Sequence, residues 1–202
     1  MTIHPIQPIP VPGTKGPAWK AKGASLILLI AGVTAVLLPE EGRTLNVILD
    51  SAGIPTVCMG LTGAVTKRHP GIPWTVDECK QAEAEYIAPM VTALSACIPA
   101  NVRDDMAYGE MVIYGSLSFN GGINAVCKSS IARHLKEGDH EGACRSMAAW
   151  TWTRVKAGTT PAGRTNGKPQ PALRQDCRDP RNRCNGLPRR RDRDVAACLE
   201  AL

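Results

Sequence analysis

The chain has 202 residues, a formal net charge of +6, 19 glycines, 16 prolines and only 4% aromatic side chains. This length suits one compact domain with an appended segment, and so few aromatics imply a loop-rich fold with a mainly aliphatic core. The positive balance favours a polyanionic polymer or a membrane surface; nucleic acid is set aside, because the densest basic run, Arg189–Arg191, is followed by Asp192 and Asp194 and reads as a salt-bridged helix start.

Residues 1–22 form a Pro-rich head, with Pro5, Pro8, Pro10 and Pro12 fixing an extended, solvated backbone before Lys15, Lys20 and Lys22. Residues 23–38 carry no charge and are largely apolar. As a helix they would span roughly 24 Å, a little less than a hydrocarbon core of about 30 Å. Lysines before the run and Glu40 and Glu41 after it orient the N-terminus toward the cytoplasm. The bulky Val36-Leu37-Leu38 offers no small-x-small cleavage site, so the segment reads as a retained signal-anchor. Gly23, Ala24, Ser25, Ala31, Gly32, Thr34 and Ala35 weaken its apolar character and make the anchor releasable. The alternative is a buried helix of the folded domain.

Directly after the run, Glu41, Asp50 and Thr56 are spaced as an acid on an incoming helix, a carboxylate at a turn and a hydroxyl on the next strand. The β-branched segments 46–49 and 54–59 flank Asp50-Ser51-Ala52-Gly53, the composition of a hairpin. Two carboxylates and a hydroxyl converging on one cleft suit glycosidic bond cleavage. The plain alternative is a solvated Glu41, a turn-capping Asp50 and an ordinary strand Thr56.

Downstream, Thr75 and Glu78 form a capping box that opens a helix running to about Leu94. Further helices are expected near 101–117, 130–137, 140–150 and 188–200. Between them, 156–183 is a Gly/Pro/Arg-rich insertion, either a wall-binding or regulatory loop or a tolerated surface insertion. Eight cysteines, Cys58, Cys79, Cys97, Cys127, Cys144, Cys177, Cys184 and Cys198, imply an oxidising compartment and up to four disulfides of open pairing, with Cys177 and Cys184 placed to staple the insertion. With no Cys-x2-Cys pair and no His-x3-His cluster, no metal or other cofactor is expected.

Four stretches in order resemble phage lysozymes of glycoside hydrolase family 24. Glu41-Gly42, Leu45, Asp50, Gly53, Thr56, Gly60 and Thr62 fall in register with that family's opening motif. Ser118–Gly122, Ser129–Asp139 and Gly186–Asp194 are similar to its later motifs, and Trp150 or Trp152 to a family tryptophan. With the weak anchor in front, the arrangement resembles the signal-arrest-release endolysins of lambdoid phages. The resemblance implies an α+β lysozyme-like fold over 39–202, mostly helical with a small β-hairpin sheet beside the cleft.

It further implies a muramidase that cuts the β-1,4 bond of peptidoglycan by an inverting route, without a cofactor. Glu41 would be the general acid, its pKa raised by a partly apolar cleft; Asp50 would stay ionised, Thr56 would orient water, and Asn120, Gly60 and Thr62 would bind substrate. Its partners would be peptidoglycan and, through residues 23–38, the inner membrane, for a monomer exported to the host periplasm. Ile48, Cys58, Met59, Leu61 and Asp194 depart from the family pattern. Two other readings remain open: a lytic transglycosylase, which needs the Glu alone, and a catalytically weakened lysozyme-like wall-binding protein.

Overall fold

In the computed structural model, residues 24–50, 53–155, 173–176 and 187–202 are described. The Pro-rich head, Cys177 and Cys184 lie outside them, as does most of the 156–183 insertion. The chain opens with helix α1 (Ala24–Glu41), which runs into a three-stranded antiparallel sheet, β1 (Thr44–Leu49), β2 (Pro55–Cys58) and β3 (Leu61–Thr62), in the order β1-β2-β3. The helical body follows with α2 (Val76–Cys97), α3 (Ala100–Asp105), α4 (Tyr108–Gly121), α5 (Ile123–Cys127), α6 (Ser130–Lys136) and α7 (His140–Ser146). An antiparallel ribbon of β4 (Trp152–Val155) and β5 (Leu173–Asp176) comes next, and α8 (Leu187–Ala201) ends the order. This is the expected α+β arrangement, helical with a small sheet.

Helix α4 is the centre of the body: every residue from Gly109 to Ser118 is buried, and α1, α2, α5 and α8 pack around it. The apolar run lies in this core. Leu29, Val33 and Leu37, four residues apart and so on one helical face, are fully buried. Gly32 and Gly115 let α1 and α4 approach closely; a Cβ at Gly32 would collide with the Tyr108 side chain, and one at Gly115 would come within 2.5 Å of Val33 Cγ2. Tyr108 Oη donates to the Leu28 carbonyl at 2.6 Å and fastens the outer end of α1. No helix among the described residues is long and apolar enough to cross a membrane.

Helix α2 begins at the expected capping box: the Thr75 hydroxyl accepts from Glu78 N–H while the Glu78 carboxylate accepts from Thr75 N–H. The single helix expected over 101–117 is two, broken at Met106 and Ala107, whose extended backbone turns the Met106 side chain fully into the core. Disulfides join Cys58 to Cys79, Cys97 to Cys127 and Cys144 to Cys198. Closing loops of this length removes chain entropy worth about 3 to 4 kcal/mol per bridge from the unfolded state.

Candidate active site

Helix α1 ends at Glu41, where Gly42 takes a left-handed backbone (φ 68°) and its N–H returns to the Leu38 carbonyl at 2.9 Å. The chain then enters β1 through Arg43. Strands β1 and β2 pair with Ile48 opposite Thr56 and Leu49 opposite Pro55. At the turn between them, Asp50 N–H donates to the Ile54 carbonyl at 3.0 Å, and Asp50 Oδ1 accepts from Ile54 N–H at 2.8 Å. The Thr56 hydroxyl donates to the same Ile54 carbonyl at 2.9 Å, so Asp50 and Thr56 are fixed through one residue.

A cleft of about 490 Å³ opens where the helix end meets the sheet, lined by Glu41, Arg43, Ile48, Asp50, Thr56 and Cys58 with Gly42, Thr44, Gly60 and Thr62. Five of the six residues singled out from sequence therefore share one wall. Asn120 is not in that lining: it sits near the end of α4, and its carboxamide N–H donates to the Ser116 carbonyl at 2.9 Å.

Two arginines at the cleft went unassigned from sequence. Arg190 Nη1 of α8 donates to Glu41 Oε1 at 2.5 Å, across 149 positions of chain. One turn on, Arg193 pairs with Glu40 at 2.6 Å, so α8 grips the last turn of α1 at adjacent carboxylates. Arg191 turns inward to Asp194; burial pushes the Arg191 guanidinium below its usual value and the Asp194 carboxyl above its own. The run Arg189–Asp194 is thus the salt-bridged helix start that its alternating charges implied, and Arg190 is the member that reaches the site.

Arg43 is the second. Its fork holds both carboxylate oxygens of Glu83 on α2, Nε to Oε1 at 3.0 Å and Nη2 to Oε2 at 2.5 Å, and that hydrogen-bonded carboxylate raises the Arg43 guanidinium above its usual value. Nothing in the local spacing signals this contact, which crosses forty positions.

The departures from the motif divide by environment. Ile48 is half exposed on the cleft, whereas Met59 belongs to the main core and Leu61 to a smaller cluster with Val57 and Trp74. Cys58 adopts a left-handed backbone (φ 55°) where the motif has glycine, and is bonded to Cys79.

The phage lysozyme family matches residues 39–169, more than half of the chain. The SAR-endolysin of Escherichia phage N15 is 26% identical over 189 residues, covering 90% of this chain and 96% of that protein. Among solved structures, a mutant of P22 lysozyme superposes with a TM-score of 0.57 at 23% identity, over 88% of this chain and 97% of that one. The active form of the P1 phage endolysin Lyz gives 0.53 at 20%, over 91% and 96%. These two likenesses show the fold. The matched segment starts two residues before Glu41 and takes in the whole hairpin that lines the cleft; the chain belongs to the phage lysozyme family.

Proposed function

We propose that this phage lysozyme is an endolysin with muramidase activity, hydrolysing the β-1,4 bond between N-acetylmuramic acid and N-acetylglucosamine in host peptidoglycan. The observation that carries this reading is the convergence of Glu41, Asp50 and Thr56 on one cleft, with Glu41 held by Arg190. Arg190 binds Oε1 and so leaves Oε2 to carry the proton given to the leaving sugar oxygen. Once that proton has gone, the guanidinium stabilises the carboxylate left behind. Asp50, fixed by the Ile54 amide, stabilises the positive charge on the sugar ring or activates the attacking water, which Thr56 orients. Gly60 and Thr62 border the bound glycan.

The purified chain should clear permeabilised Gram-negative cells, and Glu41→Gln should abolish clearing; undiminished lysis by that variant sinks the assignment. Mass analysis of the products distinguishes the lytic transglycosylase, whose anhydro-sugar ends differ from the reducing ends of hydrolysis. A wall-binding protein without catalysis would leave the glycan intact.

The same reading covers control. Residues 23–38 serve first as the anchor that exports the chain to the periplasm, with the N-terminus in the cytoplasm. While α1 is in the bilayer, Glu41 stays at its surface and the α4 surface that receives α1 is empty. Release lets α1 dock and completes the cleft, which the burial of Leu29, Val33 and Leu37 supports. Full activity of a chain still embedded in membrane would overturn this sequence of events.

A further inference from the structure

The contact between Arg43 and Glu83 is unusual for a residue on a cleft wall. Arg43 lines the cleft, and its guanidinium is bonded to a carboxylate that is only 1% exposed. Both oxygens of Glu83 are taken by the fork, so the buried charge is fully matched. Glu83 lies one turn along α2 from Cys79, which is bonded to Cys58 on β2. Helix α2 therefore holds the cleft at two heights: a covalent tie to β2, and an ionic tie to the two-residue link between α1 and β1.

That link is a second restraint on where Glu41 points, beside the grip of Arg190 and Arg193 on the last turn of α1. Gly42 is a swivel, left-handed and with open space around its α-carbon, and only its own N–H to Leu38 restrains it from the helix side. From the sheet side, the first side-chain restraint is Arg43. We propose that Arg43 and Glu83 are a positioning pair for the reaction: by pinning the residue after the swivel to α2, they fix the last turn of α1 against the sheet and hold the Glu41 carboxyl at its working distance from Asp50. This rests on Glu41 being the acid. Arg43 acts through its Nε and Nη2 bonds to Glu83 and is a positioning residue.

The test uses the full chain in its soluble, disulfide-bonded form, with kcat and KM measured separately on soluble peptidoglycan glycan strands. Arg43→Lys keeps the charge and loses the fork, and should lower kcat about tenfold or more, because small displacements of a reacting group are costly, while KM changes less than about twofold. Arg43→Glu should be far worse, and exchanging the pair (Arg43→Glu with Glu83→Arg) should recover most of that loss in kcat. A rise in KM with kcat intact would show that Arg43 meets the substrate instead, and overturns the proposal. So does an unchanged kcat in Arg43→Lys.

Where the reversed pair does not fold, Arg43→Lys decides alone, its kcat corrected for the unfolded fraction at the assay temperature; a loss that this correction removes is merely structural and overturns the proposal. Glu41→Gln run in parallel separates the two readings. If it is inactive while Arg43→Lys equals the parent, only the positioning pair fails; if it is active, both fail.

Discussion

Arg190 and Cys58 show how much the cleft depends on single side chains. Replacing Arg190 by Met removes the donor to Glu41 Oε1 while keeping an unbranched apolar stem, so the fold should survive and kcat should fall by about tenfold to a hundredfold, checked on glycan strands with KM in the same assay. An undiminished kcat would remove Arg190 from the machinery. At Cys58, the positive φ and the bond to Cys79 act against each other. A left-handed backbone costs a non-glycine residue about 1 to 2 kcal/mol, whereas the closed loop contributes about 3. Cys58→Gly with Cys79→Ala should therefore be less stable than the parent by roughly 2 kcal/mol, yet more stable than Cys58→Ala with Cys79→Ala by about 1. Urea unfolding of the three proteins checks the order. Glycine at this position would otherwise be the unstrained choice, and the disulfide explains how a cysteine is tolerated there.

Helices α4 and α7 meet over a polar cluster that no motif announces. Glu110 is fully buried and accepts from Tyr114 Oη at 3.0 Å, while His140 Nδ1 lies 2.9 Å from its carboxylate. The hydrogen bond to the Glu110 carboxylate raises the His140 imidazole above its ordinary 6.5, helped by Asp105 and Asp139. A raised histidine stabilises the fold fully below its unfolded value, and the contribution is lost as pH rises through the higher folded value. Stability against urea should thus decline as pH climbs above about 6.5, and His140→Gln, which keeps a donor but cannot titrate, should flatten that decline. A parent whose stability rises over that window refutes the pairing. What was legible from sequence at this scale was local: the Thr75 box, the hairpin around Asp50, and the later helices 130–136 and 187–201 all announce themselves by neighbours within a few residues. The break at Met106 and the ribbon of β4 and β5 did not, because burial of a distant side chain and pairing across an insertion leave no short-range mark. For the same reason Glu41, Asp50 and Thr56, which share one short motif resembling that of the phage lysozymes, could be named together from sequence, while Arg190 and Glu83 came from far along the chain.

Across the whole molecule, the proposed anchor and its release give one segment two environments to satisfy. A uniformly apolar run fits a core poorly, but α1 has small residues where α4 comes nearest. Gly32 lowers the apolar content of the run and also makes room for Tyr108 and Val112. Thr34 keeps its hydroxyl on the Ile30 carbonyl, a bond internal to the helix and so available in lipid and protein alike. Gly32→Leu should therefore act twice in one direction. It favours the bilayer by about 1 kcal/mol on an insertion scale, and it overpacks the site on α4 by roughly 1 to 3 kcal/mol. The released fraction after the membrane is depolarised should drop by roughly thirtyfold or more, with the chain recovered in the membrane pellet. Gly115→Ala separates the two effects, because it narrows the receiving surface against Val33 without altering the run. That variant should retain the parent's membrane insertion and lose only stability of the docked form, by about 1 to 3 kcal/mol in urea. Equal release of the Gly32→Leu chain and the parent would mean that α1 is not drawn from the bilayer by its place on α4, and the coupling between anchor and cleft would have to lie elsewhere.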